Sequence, residues 1–146
     1  LYASRKSDSD SLIKRIEVSE MAMTQRQALE LWRCALTAYV RSDESDMTAR
    51  QQAVLMTVAL TPGPHTVRGL SSHLNIAKPA VTRALDVLER NGLIKRVPDE
   101  NDLRSVHIER TTQGLDWLRT FGGQIQAAET GEIGAERASG ASRAVA

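Results

Sequence analysis

The sequence is short of the residues that most chemistry needs. It holds one cysteine, Cys34, in 146 residues, which excludes a disulfide framework and a cysteine-rich zinc site and fits a reducing, cytoplasmic setting. No apolar run approaches the roughly 18 residues of a membrane span, and the polar opening from Leu1 to Asp10 does not read as a signal peptide. His65, His73 and His107 are scattered, without acidic residues at ligand spacing, so neither a metal nor another cofactor is expected. There is no Ser-His-Asp set, no glycine-rich phosphate loop and no evident pair of carboxylates, so the chain is not expected to be an enzyme. Internal repeats are absent. The formal net charge of +1 neither demands nor excludes a nucleic-acid partner.

What is present is ordinary globular material, 41% hydrophobic and 25% charged, in a length that supports one domain with a core rather than two. Residues 1–22 read as a polar extension with a weakly amphipathic Leu12, Ile13 and Ile16. Residues 129–146 read as an Ala/Gly-rich tail in which Gly131, Gly134 and Gly140 interrupt any helix. Both ends are expected to be mobile or held by a partner chain. Between them, residues 23–128 carry a dense pattern.

A helix is expected from about Thr24 to Arg41. Leu29, Trp32, Leu36, Tyr39 and Val40 share one arc of it, and Ala28, Leu31, Ala35 and Ala38 the adjoining arc. That apolar surface is wider than the roughly 100° stripe one core requires, so one arc can face the domain and the other a second subunit. Thr48, with Gln51 three residues on, opens the next helix as a capping box. The apolar run Ala53 to Leu60 makes it central, and Pro62, Gly63 and Pro64 stop it. A short helix presents Val67, Leu70 and Leu74. After a turn at Asn75 and Ile76, a longer helix from Lys78 to about Asn91 buries Val81, Ala84, Leu85 and Leu88, and Gly92 terminates it. Strands follow at Leu93–Val97 and Ser105–Arg110, joined by a charged loop, and Thr111 caps a last helix to about Ala128 with Leu115, Leu118 and Ile125 as its apolar positions.

A short helix, a tight turn and a second helix make a helix-turn-helix, and a hairpin directly after it makes a wing. The fold class is therefore mainly α, a winged helix-turn-helix with a two-stranded wing and flanking dimerisation helices. The major groove of DNA admits one helix, whose N-terminal half meets the base edges. Subtracting the buried stripe leaves Lys78, Pro79, Thr82, Arg83 and Asp86 facing outward. Lys78 and Arg83 can donate to guanine or phosphate. Thr82 can bond either way or touch a thymine methyl, and Pro79 offers a stiff apolar surface. From Pro64 to Arg96 the cations Arg68, Lys78, Arg83, Arg90, Lys95 and Arg96 stand against Asp86 and Glu89, a local excess of four positive charges.

From Thr48 to Gly114 the sequence resembles the MarR family of bacterial transcriptional regulators. The stretch from Ala77 to Ile94 resembles that family's recognition helix and its Gly-Leu exit. Asp102-Leu103-Arg104 resembles its Asp-x-Arg wing signature, and Arg110-Thr111-Thr112-Gln113-Gly114 sits where the family has Leu-Thr-x-x-Gly. The resemblance implies a homodimer that reads a pseudo-palindromic operator in double-stranded DNA, in most cases as a repressor, and that a small-molecule effector can release. It also implies that Arg104 enters the minor groove with Asp102 as its support. Three features depart from the family pattern: Ala77 replaces the usual serine cap, Arg110 replaces a hydrophobic residue, and long C-terminal dimerisation helices are not evident after Ala128.

Plainer alternatives accompany these readings. Lys78, Thr82 and Arg83 can be a solvated helix face, Asp102 and Arg104 a weak surface ion pair, and Arg68 either a phosphate contact or simply exposed. Trp32 and Trp117 are candidates for lining an effector pocket, against the commoner role of core residues. Cys34 is a candidate redox sensor, against a small packing residue. The rival functions are a winged-helix protein-interaction module, a small-molecule sensor with degenerate DNA binding, and a redox sensor acting through Cys34.

Overall fold

A computed structural model describes residues 23–102 and 104–131; the expected extension 1–22 and the tail from residue 132 onward lie outside the described residues. Five helices and one hairpin follow in order: α1 (Gln25–Arg41), α2 (Ala49–Leu60), α3 (Val67–Leu74), α4 (Lys78–Arg90), β1 (Ile94–Pro98), β2 (Val106–Arg110) and α5 (Thr112–Glu129). No helix among the described residues is long and apolar enough to cross a membrane.

Local chemistry sets the boundaries. Thr24 and Gln27 form a reciprocal capping box at the start of α1, and Thr48 and Gln51 form another at the start of α2, each satisfying two amides that the helix leaves open. Thr66 caps α3 by accepting from the Gly69 amide at 3.0 Å. Asn75 ends that helix in the left-handed region, with φ 51°, a conformation asparagine tolerates better than most residues. Gly92, at φ 72°, turns the chain out of α4 toward the wing.

The hairpin is antiparallel, with Ile94 opposite Arg110, Arg96 opposite Ile108 and Pro98 opposite Val106. His65 adds a one-residue bridge on the free edge of β2, where its carbonyl accepts from the Ile108 amide at 2.9 Å. The strands begin one residue later than the alternation of the sequence suggests, because Leu93 belongs to the turn and its amide bonds the Leu88 carbonyl.

The core gathers Val54, Leu55, Val58, Leu70, Val81, Leu85, Leu88, Ile94 and Ile108 between α2, α3, α4 and the sheet. The stripe of Val81, Ala84, Leu85 and Leu88 is buried as expected. Leu60, at the end of the apolar run of α2, is 70% exposed.

The buried face of α5 differs from the expected one. It is Gly114, Trp117 and Phe121, with Leu118 and Ile125 half-buried against the core, while Leu115 is not part of it. The reason is aromatic packing. Every aromatic residue among those described meets here. Trp117 stacks on Phe121 at 5.2 Å, and Tyr39 meets both edge-on at 5.8 and 5.7 Å. Trp32 meets Phe121 edge-on at 6.3 Å. Such pairs add about 0.5–1.5 kcal/mol each beyond the area they bury, which is enough to decide which face of α5 turns inward onto α1.

The N-terminus of α5 is fastened to the exit of α4. The Thr111 hydroxyl donates to the Gly92 carbonyl at 2.6 Å and accepts from the Gly114 amide at 3.0 Å. A Cβ on Gly114 would stand 2.1 Å from the Leu93 carbonyl oxygen. Only glycine permits that approach, which gives a physical reason for a glycine at this place in the chain.

Candidate nucleic-acid interface

The second helix of the helix-turn-helix, α4, is set by the turn before it. The Ser71 hydroxyl donates to the Ile76 carbonyl at 2.7 Å, and the Ile76 amide donates to the Ser71 carbonyl at 3.2 Å. These bonds hold the αL turn at Asn75 closed. Ala77 then starts α4 with no side-chain cap, and proline occupies the first turn. The open amides at this end, with the partial positive charge of the helix dipole, favour an anion.

With Val81, Ala84, Leu85 and Leu88 buried, Lys78, Pro79, Thr82, Arg83 and Asp86 are all exposed on the opposite face. The Thr82 hydroxyl donates back to the Lys78 carbonyl at 3.1 Å. Arg68, on α3, is exposed as well.

Ion pairs sort the local charges. Arg96 on β1 binds Asp86 at 2.6 Å and also pairs with Glu89, and its own amide donates to Glu89 at 3.2 Å. Burial works against the Arg96 charge, but the bonds to Asp86 and Glu89 outweigh it and hold the guanidinium above its ordinary pKa. Lys95 pairs across the hairpin with Glu109 at 3.2 Å. Two of the six cations counted in the sequence therefore serve inside the lobe. Among the described residues no carboxylate lies within ion-pairing distance of Arg68, Lys78, Arg83, Arg90 or Arg104. Both acidic side chains of α4 are neutralised, so its outward face is positive despite a nearly balanced composition.

Arg96 was visible in the sequence only as one more positive charge. Its role as a clamp between α4 and the wing depends on a turn that returns β1 beside Asp86 and Glu89 of the helix. Arg110 was visible as a charge where an apolar residue was expected. Its Nη1 donates to the Ala59 carbonyl at 2.8 Å, so it satisfies the C-terminal end of α2 from the neighbouring strand.

The wing loop is built by its carboxylates. Asp99 accepts from the Asn101 amide at 2.8 Å and lies 3.3 Å from the His107 ring. Asp102 accepts from the Arg104 amide at 3.1 Å and from the Ser105 hydroxyl at 2.9 Å. Asp102 therefore shapes the backbone under Arg104, and the two side chains form no ion pair. The Arg104 side chain is exposed.

The remaining candidates fall around α1. Trp32, 45% exposed, lines a cavity of about 390 Å³ with Leu36, Tyr39, Asp46 and Met47. Trp117 does not line it; it lies behind, buried in the aromatic cluster. Cys34 is half-buried, its sulfur 3.7 Å from a Glu30 carboxylate oxygen and 3.5 Å from the Arg33 guanidinium. A second cavity of similar size sits at the root of the wing, between Val58, Thr61, His65, His107 and Arg110. No group of three or more His, Cys, Asp or Glu among the described residues is placed to hold a metal ion.

Comparison with known proteins places this geometry. Residues 47–106 match the MarR family. A stretch of 58 residues is 38% identical to YkoM of Bacillus subtilis (strain 168), an uncharacterized HTH-type transcriptional regulator. That stretch is 40% of this chain and 38% of the relative, so the match spans well under half of the relative's length. Among solved structures, a mutant of S. aureus MepR gives a TM-score of 0.61 at 24% identity, covering 77% of this chain and 84% of that one. Another MepR mutant, bound to an oligodeoxyribonucleotide, gives 0.56 at 25% identity, covering 85% and 81%. MepR bound to ethidium bromide gives 0.53 at 22% identity, covering 85% and 80%. The shared architecture is a winged helix-turn-helix.

Proposed function

We propose, from the match of residues 47–106 to the MarR family, that this protein is a DNA-binding transcriptional regulator. It acts in the cytoplasm as a two-fold homodimer, by binding rather than by catalysis. Each copy lays α4 in a major groove, and the two grooves lie roughly 34 Å apart on a pseudo-palindromic site. The observation that supports this most is the outward face of α4, where Lys78 and Arg83 are exposed without carboxylate partners among the described residues while Arg96 absorbs Asp86 and Glu89. A solvated face kept for solubility has no need of that neutralisation.

Arg104, held up by Asp102, grips the adjacent minor groove, whose narrow stretches concentrate negative potential. Arg68 contacts phosphate from α3. Occupying a promoter in this way represses it. A small-molecule effector seated in the cavity beside Trp32, between α1 and the start of α2, shifts the dimer toward a spacing that no longer fits both half-sites. MepR, of the same fold, has been crystallised with an oligodeoxyribonucleotide and with ethidium bromide, which supports both a DNA site and an effector site in this chain.

The test is binding of the purified chain to duplex DNA across a salt series. Affinity should fall steeply with salt as condensed counterions are released. Arg83→Ala should weaken specific sites more than random sequence, and Lys78→Ala should weaken both alike and flatten the salt slope by about one. A chain that binds no duplex at low salt would overturn the reading.

A further inference from the structure

We infer that Thr82, with Pro79 beside it, reads the C5-methyl group of a thymine in the major groove. The inference rests on α4 being the helix that enters the groove, and it adds which base chemistry that helix selects. Thr82 has one proton to donate. Its hydroxyl gives that proton to the Lys78 carbonyl at 3.1 Å. The side chain is β-branched, so a helix holds its χ1 in few states, and turning the hydroxyl outward would require leaving this bond. With that proton committed, the exposed Thr82 offers its γ-methyl and no free donor.

Pro79 lies three residues earlier on the same exposed face. Three residues apart on a helix are neighbours, and the pyrrolidine ring brings no amide hydrogen. Pro79 and Thr82 thus form a small apolar ridge, with the cationic Lys78 and Arg83 on either side of it in sequence.

The four bases differ in what they show such a ridge. Thymine alone presents a methyl group in the major groove. Guanine presents two acceptors and needs a donor, which Thr82 has already committed; Arg83 is the donor for guanine. Adenine and cytosine present amino groups. Against an apolar ring these would lose water without gaining a full set of partners, which is costly. A thymine beneath the ridge is the base whose chemistry matches all of it.

The experiment starts from the duplex that the wild-type chain enriches out of a random-sequence pool. Each thymine of that duplex is then replaced in turn by uracil, which removes the methyl group and nothing else. One thymine in each half-site should respond, with binding weakened about fourfold, the value of one buried methyl; the other positions should not. Thr82→Val, which keeps a methyl, should retain the discrimination. Thr82→Ser, which lacks it, should bind the thymine and uracil duplexes alike. The uracil scan itself uses only the wild-type chain, so it does not depend on any variant folding.

The inference is overturned if no thymine responds to loss of its methyl, or if Thr82→Ser still discriminates as strongly as the wild type. It is also overturned if the enriched duplex carries only adenine, cytosine or guanine beneath the ridge. If the chain enriches no duplex at all, α4 is not a groove-entering helix, and that broader reading falls with it.

Discussion

In the lobe built from α2, α3, α4 and the wing, Leu55, Leu70, Leu85, Leu88 and Ile94 are each at most 2% exposed, whereas α1 leaves Leu29 at 70%, Val40 at 72% and Trp32 at 45%. The first region closes its own core. The second has two apolar sides and, among the described residues, finds cover for only one of them, where Ala35 and Tyr39 are buried and Tyr39 meets the aromatic cluster of α5. A helix with apolar residues on more than one side calls for more than one partner. The lobe that presents α4 is thus self-sufficient, and the α1 end keeps apolar surface that no other described residue covers. On the function proposed above, one part must keep a fixed shape against DNA while another sets the spacing between two such parts, and this division suits it.

The sharpest way to break the self-sufficient region is at the place where α5 is fastened to it. Gly114→Ala puts a Cβ 2.1 Å from the Leu93 carbonyl oxygen and 3.1 Å from its carbon. Both are backbone atoms, fixed by the turn that also receives the Thr111 bonds, so no flexible side chain can yield. The expected loss is about 3 kcal/mol or more of stability, at the upper end of overpacking effects. Thermal melting would show it directly, and a melt close to that of the wild type would show that α5 can move off Leu93 freely.

The unfinished side of α1 is probed by a milder change. Leu29→Ala removes apolar surface that is 70% exposed among the described residues, so it should leave the melting of the isolated copy unchanged. If a second copy covers that face, the same substitution should weaken self-association about tenfold, because each buried branched side chain contributes on the order of 1.5–3 kcal/mol. Sedimentation of wild type and variant over a concentration series separates the two cases. A wild type that stays monomeric at high concentration would remove the two-fold assembly from the account.

Much of this division can be read from the residues alone. The buried stripe of α4, the caps at Thr48 and Thr111, and the stop at Pro62 to Pro64 are local signals, each confined to a turn or two of chain, and the structure places them as the pattern suggests. The double-sided apolar character of α1 is local in the same sense. What local pattern could not show is anything made by residues distant in sequence. Asp86 reads as one of five outward residues of α4 until β1 returns Arg96 beside it. Arg110 reads as a misplaced charge until the end of α2 is seen to need a donor. Trp117 reads as core more readily than as pocket, and the choice is made only when Tyr39 and Phe121 are brought against it. Asp102 and Arg104 read as a pair of side chains, and only the turn geometry shows the carboxylate spending itself on backbone and Ser105.

The smallest effect sharpens the seam between the two regions. The Tyr39 hydroxyl donates to the Ser45 carbonyl at 2.6 Å and accepts from the buried Met47 amide at 3.0 Å, so it ties α1 to the segment that leads into α2. Burial pushes the phenol pKa up, more than the Met47 bond pulls it down. A raised pKa means that the folded state holds the proton more tightly than the unfolded one. Its contribution is therefore complete below the ordinary phenol value of about 10 and is lost as pH rises past that value toward the higher folded one. Tyr39→Phe leaves the Met47 amide without its partner, at a cost of about 1–2 kcal/mol near neutrality. The difference in stability between the two proteins should then shrink steadily above about pH 10, where the wild type begins to lose what the variant never had. Denaturant titrations at a series of alkaline pH values measure that difference, and a gap that stayed constant would show that the phenol does not titrate between the two states.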